Sequence, residues 1–522
     1  MFNYLQLFRI DRWIPILFFV ALLITGIFIY GDYGLCWDDP MQHKLGLVAW
    51  DYVSGKSNDL FGNENCYINP LVMMVEVLPE KILQPATEAE AFLLKHLANF
   101  ILCWLGLIIF YLLGLRLFRD YRFALIACLL LILTPRLLAH FFYNSKDLPF
   151  LFLFVLSMYV LVTWIQKPSW SRIGWLAVCS GILTATRVVG VLFPVIIFIV
   201  VIVAMLARKL SRKELRMIMV YFLLYPFTVY VFFPSIWEHP FEKFFAAIAL
   251  YTHHPYDVTT LFMGETVHSL ETPWYYVPVW MLIIIPIGWW LLFLGGMVAL
   301  IKRLILERMK FSLLWLSVLL WLFLPLSAVV LLRGSTYEDA RHFFFIQPAL
   351  LLISTAGMQW LLRTNSSSKI FWKSPASLIA LTVFIVTTSY LLLFNFKYHP
   401  FQHSYFNAIG RKYAQDSFDK DYWGVSYKNA LEFLVKYEQK DSMKVRWKID
   451  PCEWNLVWLS ERDRNRIHFV KYDQCEYYIT NYRSHTPFDA VGEKIYEERV
   501  QGFTIVAVYK MHPPNDIPVS TP

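Results

Sequence analysis

Asp38 and Asp39 stand side by side in Trp37-Asp38-Asp39-Pro40, directly after the first long apolar run of the chain. Carboxylates at the edge of a bilayer are costly to keep, so a pair of them marks a place where chemistry is expected. A carboxylate there can take the proton of an attacking hydroxyl or amine. Cations fall on the same side of the membrane in the topology derived below: Lys146, beside Asp147 in Tyr143-Asn144-Ser145-Lys146-Asp147, then Arg187, and Arg341 with His342. Such cations can hold a lipid phosphate and stabilise it as a leaving group. A base and a cationic cradle together suit displacement of a lipid phosphate from the anomeric carbon of a sugar.

Each of these residues also has a plainer reading. Asp39 before Pro40 fits a helix N-cap with proline at the first helical position, which leaves Asp38 as the better candidate base. The Lys146-Asp147 segment fits an ordinary solvated turn. Arg341 and His342 fit snorkelling, or pairing with the neighbouring Glu338 and Asp339. Trp274, Tyr275 and Tyr276 suit the docking of a lipid or substrate, and equally the anchoring of a span at the interface. Glu265 and His268, one helical turn apart, are a weak metal candidate, with His239, His253, His254 and Asp257 nearby.

Positioning these groups falls to a membrane-spanning scaffold. The 522 residues are 57% hydrophobic and 18% aromatic, with mean hydropathy +0.47. That exceeds what the interior of a soluble domain can hide. Runs long enough to cross a bilayer core of about 30 Å occur at 13–30, 96–117, 123–142, 148–166, 173–186, 188–207, 217–234, 277–300, 311–332, 343–362 and 376–395. The expectation is a polytopic α-helical protein of about eleven crossings, with 173–186 and 188–207 either two helices or one helix interrupted by Arg187. Basic residues gather in alternate loops, as at Arg116, Arg119 and Arg122, and again at Arg208, Lys209, Arg212, Lys213 and Arg216. This bias puts the N-terminus in the cytoplasm. The net charge of +8 then reflects orientation rather than nucleic-acid binding.

Interfacial helices are expected in the first and third outer loops, from the helical spacing of Met41, Leu45, Val48, Ala49 and Tyr52, and of Phe241, Phe244, Phe245, Ile248 and Tyr251. The chain divides into a membrane domain (1–395), an extracytoplasmic α/β domain (396–512) and a disordered tail (513–522). Apolar runs at 443–449, 466–470, 476–480 and 503–509 read as strands, and 425–438 as a helix. Cys36 with Cys66, and Cys452 with Cys475, fall in pairs on the outer side. They read as two disulfides, or as two pairs of unrelated thiols. Cys103, Cys128 and Cys179 read as small buried hydrophobes. Asn-x-Ser/Thr occurs only at Asn365, in an inner loop, which favours a bacterial cytoplasmic membrane.

The acidic pair after the first span, the interfacial helices and the many crossings resemble the GT-C superfamily of membrane glycosyltransferases. The resemblance is to the branch containing protein O-mannosyltransferases and lipid A aminoarabinose transferases. The family's pair is usually Asp-Glu, its first Asp being the base, and here it reads Asp38-Asp39. Asn144-Ser145-Lys146-Asp147 lies where the family has a second-loop acidic residue. Pro273-Trp274-Tyr275-Tyr276, Tyr337-Glu338-Asp339-Ala340-Arg341-His342, His399-Pro400-Phe401-Gln402-His403-Ser404-Tyr405-Phe406-Asn407 and Asp421-Tyr422-Trp423-Gly424 resemble segments of uncharacterised bacterial members. The resemblance implies inverting transfer from a polyprenyl-phosphate sugar outside the cytoplasm, with no cofactor required. It leaves the acceptor open, whether glycan, lipid or protein. Competing readings are a transporter or flippase, a non-catalytic scaffold of the same fold, and an enzyme that moves phospho-groups. A transporter would carry ionisable residues at mid-membrane and paired repeats, and the sequence shows few of the former and none of the latter.

Overall fold

A computed structural model describes residues 10–62, 66–68, 70–252, 257–306, 313–332, 336–363, 375–484 and 492–511. The expected disordered tail (513–522), His253, His254 and Asn365 lie outside the described residues.

The first two-thirds of the chain is helical. Helix α1 (Ile10–Ile29) leads into α2 (Asp39–Val53), α3 (Pro70–Glu76) and α4 (Leu78–Leu83). The long α5 (Glu88–Phe118) is followed by α6 (Tyr121–Leu133), α7 (Pro135–Tyr143), α8 (Asp147–Gln166) and α9 (Trp170–Thr186). Then come α10 (Leu192–Leu206), α11 (Arg212–Phe232), α12 (Pro240–Thr252), α13 (Tyr276–Ile284) and α14 (Ile287–Leu306). The last long helices are α15 (Leu313–Leu332), α16 (Gln347–Arg363) and α17 (Pro375–Lys397). Among the described residues, seven helices are long and apolar enough to cross a membrane, and nine if each bent pair is one span. The expected crossings at 13–30 and 173–186 are helical, but their apolar stretches, Trp13–Ile29 in α1 and Trp170–Thr186 in α9, are shorter.

Local chemistry sets the breaks. Thr134 takes an extended backbone and Pro135 opens α7, so α6 and α7 meet at 74°. Helices α13 and α14 meet at 112°. Arg187 is also extended (φ −147°, ψ 131°) and ends α9. The sequence thus forms two helices around Arg187, not one with a buried arginine in its middle.

Residues 41–52 lie in α2 and residues 241–251 in α12. Helix α2 packs its inner face on α3, where a Cβ on Gly46 would lie 2.6 Å from the Met73 carbonyl. On α12, Phe241 and Phe245 are exposed.

A small hairpin, β1 (Thr259–Phe262) and β2 (Glu265–His268), precedes α13. The C-terminal unit holds two short helices, α18 (Ala408–Arg411) and α19 (Ala414–Ser417), then α20 (Tyr427–Tyr437). Its strands are β3 (Met443–Trp447), β4 (Ile467–Phe469), β5 (Tyr477–Thr480), β6 (Gly492–Val500) and β7 (Phe503–Met511). The sheet order is β4-β3-β5-β7-β6, parallel at β3–β4 and β3–β5 and antiparallel at β5–β7 and β6–β7. The apolar runs read as strands correspond to β3, β4, β5 and β7. Strand β6 was not expected, because its charged edge-strand sequence lacks an apolar run. Its hairpin to β7 turns at Gln501 (φ 53°) and Gly502 (φ 97°), the two positive-φ positions of a tight turn.

One continuous apolar core joins Phe19 and Leu151 in the helices to Leu431 and Val508 in the C-terminal unit. The block His399–Asn407 is the joint between them. The Asn407 side chain donates to the carbonyls of Leu282 (2.6 Å) and Ile285 (2.7 Å) at the α13–α14 break. It also accepts from Ile409 and Gly410 N–H, satisfying groups that the broken helix leaves open. Arg136 Nε donates to the Tyr405 carbonyl (3.0 Å). His403 Nε2 lies 3.0 Å from Asp421 Oδ1.

Candidate active site

The two aspartates point different ways. Asp39 is fully buried. Its Oδ2 accepts from Cys36 N–H (2.9 Å) and lies 3.4 Å from His96 Nε2, and its Oδ1 pairs with Lys95 Nζ. Burial alone would raise the Asp39 carboxyl, but the Lys95 ammonium and then His96 outweigh it and hold it below the ordinary carboxylate range. The expected capping role therefore passes to its neighbour. Asp38 occupies the N-cap position of α2, without a side-chain capping bond, while Asp39 reaches back toward α5.

Asp38 is also buried, at 6% exposure. Its Oδ2 lies 2.5 Å from Lys146 Nζ. The contact is an ion pair outside hydrogen-bond geometry. Lys146 precedes α8 in the turn that Asn144 organises by accepting from the N–H groups of Lys146 (3.3 Å) and Asp147 (2.8 Å). That turn is buried throughout, so it is not the solvated loop that its polarity alone would allow.

Asp147 receives Arg187 Nη1 on Oδ1, and on Oδ2 Arg341 Nη1 (3.1 Å) and Asn144 Nδ2 (3.1 Å). It thus acts as counter-ion to two arginines. The break at Arg187 matters here: the residue ends α9, so its guanidinium turns into the site instead of facing lipid. Arg341 also donates Nε (3.1 Å) and Nη2 (2.7 Å) to Glu338 Oε2. Glu338 in turn accepts from Arg483 Nη2 (2.6 Å) and Trp423 Nε1 (3.1 Å) of the C-terminal unit. Burial would raise the Glu338 carboxyl, but Arg341 and then Arg483 outweigh it and hold it below its ordinary range. Asp339 accepts from Arg136 Nη1 (2.7 Å), Tyr422 hydroxyl (3.0 Å) and Arg341 N–H (2.5 Å). Glu338 (φ 53°) and Asp339 (φ 62°) both hold left-handed backbone, which costs about 1–3 kcal/mol per non-glycine residue and persists only where the surroundings impose it. His342 packs edge-on against Tyr337 at 4.8 Å.

The structure therefore gathers Asp38, Lys146, Asp147, Arg187 and Arg341 into one buried charge network, with His342 beside it. The C-terminal unit closes it. Trp37 N–H donates to the Trp423 carbonyl (3.0 Å), and the Arg483 guanidinium lies over the Trp37 ring at 4.6 Å.

Other expected residues fall elsewhere. Trp274 is 67% exposed and Tyr275 39%, but Tyr276 is buried against Phe262 (4.6 Å) and Trp280 (6.3 Å). Of the three rings, only Trp274 and Tyr275 face outward. Glu265 and His268 lie on strand β2, not on a helix. Three residues apart on a strand, they face opposite sides, and His268 Nδ1 instead contacts Asp257 Oδ2 (2.5 Å). No group of three or more His, Cys, Asp or Glu able to hold a metal assembles among the described residues.

All seven cysteines are free, which corrects the expectation of disulfides Cys36–Cys66 and Cys452–Cys475. Cys36 and Cys452 belong to the main core, whereas Cys66 and Cys475 belong to separate satellite cores. Even numbers in a segment do not bring side chains together.

The sequence reading missed Lys95, His96, Arg136, Tyr422, Trp423 and Arg483 as contributors. Arg136 had a signal, a cation inside the apolar run 123–142. Arg483 had none, since it lies in a polar segment distant in sequence from every partner.

No protein-family model matches this sequence, and no curated protein matches it. Among the solved structures that share its fold are two that cover most of this chain. One is ArnT from Cupriavidus metallidurans in the apo state, with TM-score 0.50 and 13% identity, over 94% of this chain and 97% of that one. The other is the Archaeoglobus fulgidus oligosaccharyltransferase in the apo form, with TM-score 0.53 and 12% identity, over 93% of this chain and 66% of that one. Both are GT-C membrane glycosyltransferases, ArnT being a lipid A aminoarabinose transferase.

Proposed function

We propose that this integral membrane protein transfers a sugar from a polyprenyl-phosphate donor to an acceptor at the outer face of the membrane, with inversion. Asp38 takes the proton of the acceptor as its oxygen or nitrogen attacks the anomeric carbon. The bond from that carbon to the phosphate oxygen breaks on the opposite side, and its electron pair leaves with the polyprenyl phosphate. Lys146, Arg187 and Arg341 receive the phosphate, with His342 at the edge, and their value rises in a site closed to water. Asp147 orients the two arginines, and Asp39 anchors the start of α2. Trp274 and Tyr275 suit the lipid-facing rim. Residues 396–512 form the extracytoplasmic part, and a bacterial inner membrane with a cytoplasmic N-terminus fits the loop charges.

The observation that carries the reading is Asp38 placed against Lys146, inside a buried network that also holds Arg187 and Arg341. The GT-C fold agrees with it. The test is transfer by purified protein supplied with labelled polyprenyl-phosphate sugars and candidate acceptors. Asp38→Asn is expected to lose about 10²- to 10⁴-fold in turnover. Undiminished transfer by the variant removes Asp38 from the base role.

A further inference from the structure

We infer that Lys146 is a switch shared between the base and the donor phosphate, so that Asp38 is unmasked only after the lipid phosphate has bound. The inference rests on the proposed function and adds an order of events to it. Three cations of the site are candidates for the phosphate, and they are not held alike. Arg187 is tied to Asp147, and Arg341 to Asp147 and Glu338, carboxylates with no reacting role. Lys146 is paired with the reacting carboxylate itself, at 2.5 Å.

The ammonium sits on the carboxylate oxygen that an acceptor's proton would have to reach, so Asp38 in this arrangement is masked as a base. A bound phosphate competes with Asp38 for this one ammonium and draws it off the carboxylate. Lysine suits the exchange, being a point charge on a flexible four-carbon stem, whereas arginine holds carboxylates in a fixed fork. In the position paired with Asp38, Lys146 Nζ also lies 6.0 Å from the centre of the Trp423 ring, a partner that does not depend on the carboxylate.

The cycle balances. The donor phosphate draws Lys146 away from Asp38. Asp38 then takes the acceptor proton as the sugar is transferred. The polyprenyl phosphate departs, Asp38 releases its proton to water, and Lys146 returns to the carboxylate. Donor therefore binds before the acceptor is activated.

The test is a carboxyl footprint on the full-length protein, using a carbodiimide and a labelled amine, read by mass spectrometry at Asp38. The probes are undecaprenyl phosphate, undecaprenol and inorganic phosphate. Lipid binding is followed separately by thermal shift. Undecaprenyl phosphate is expected to raise labelling of Asp38 several-fold while leaving half-exposed Asp32 unchanged, and undecaprenol to do neither. Lys146→Met is expected to label at Asp38 at the raised level without lipid. A thermal shift with undecaprenyl phosphate but unchanged or lower labelling of Asp38 overturns the switch and leaves the transferase reading standing. Absence of any thermal shift defeats the phosphate site, and the switch with it. Equal labelling with inorganic phosphate shows that the anion alone throws the switch, which supports it without the lipid.

Discussion

Two pairings of opposite charge sit within the same buried site and are built in opposite ways. At Glu338-Asp339, two strained residues are held by Arg341, Arg483, Trp423, Arg136 and Tyr422, drawn from several elements and from the C-terminal unit. At Asp38, one ammonium on one flexible stem makes the pair. The first arrangement is over-determined, so its carboxylates serve to fix cations in place. The second is thinly determined and has room to change partner. Buried charges that are meant to stay are networked, because an unsatisfied one is expensive. A buried charge left with a single mobile partner is where a reaction can intervene.

The largest effect should come from breaking the networked side. Glu338→Ala takes the shared counter-charge from buried Arg341 and partly buried Arg483 and is expected to cost about 3–5 kcal/mol, read as a fall in melting temperature in detergent. Glu338→Gln keeps hydrogen bonds to these donors and should fall between the variant and the parent. A parental melting temperature for Glu338→Ala would show that the strained pair does not hold the site together. Lys146→Met, on the thin side, should cost less stability, about 1–3 kcal/mol, because it removes one contact and not a shared counter-charge. Its turnover should nonetheless drop by about 10²-fold or more, as when one charge-stabilising donor is removed. If Lys146→Met proves the less stable of the two, the contrast is wrong.

The same contrast explains how much could be read in advance. Asp38, Lys146, Arg187 and Arg341 were legible because each is an ionisable residue at the edge of a long apolar run, where cost points to purpose. The scaffold was legible because spans need only length and hydropathy. What the sequence hid was pairing. The side chain of Asp39 turns to Lys95 only because α2 packs against α3 and the start of α5. Arg483 reaches Glu338 only because the sheet of the C-terminal unit docks on the helices. The cysteine pairs failed for the same reason, since Cys36 and Cys66, though close in sequence, pack into different cores. Strand β6 was lost to its own charges.

Glu76 sharpens the contrast with a third case, a carboxyl with no cation of its own. It ends α3 fully buried, beside the Lys95 ammonium, the Ser145 hydroxyl and Asp39. Neither of its oxygens makes a hydrogen bond of good geometry among the described residues. Lys95 is already committed to Asp39, so burial dominates and pushes the Glu76 carboxyl up to about 8. Below the unfolded value, about 4.3, both states carry the proton and Glu76 costs nothing. Between there and about 8 the native state keeps a proton that the unfolded state has released. Stability must then fall as pH rises through that window, by up to about 1.4 kcal/mol per pH unit from this group. Glu76→Gln removes that slope. Melting curves taken from pH 5 to 8 should show parent and variant diverging as pH rises, the variant gaining most at pH 8. A variant that melts lower than the parent at pH 8 would mean that Glu76 is ionised and held by Lys95, and that this ammonium, like Arg341, serves two carboxylates at once.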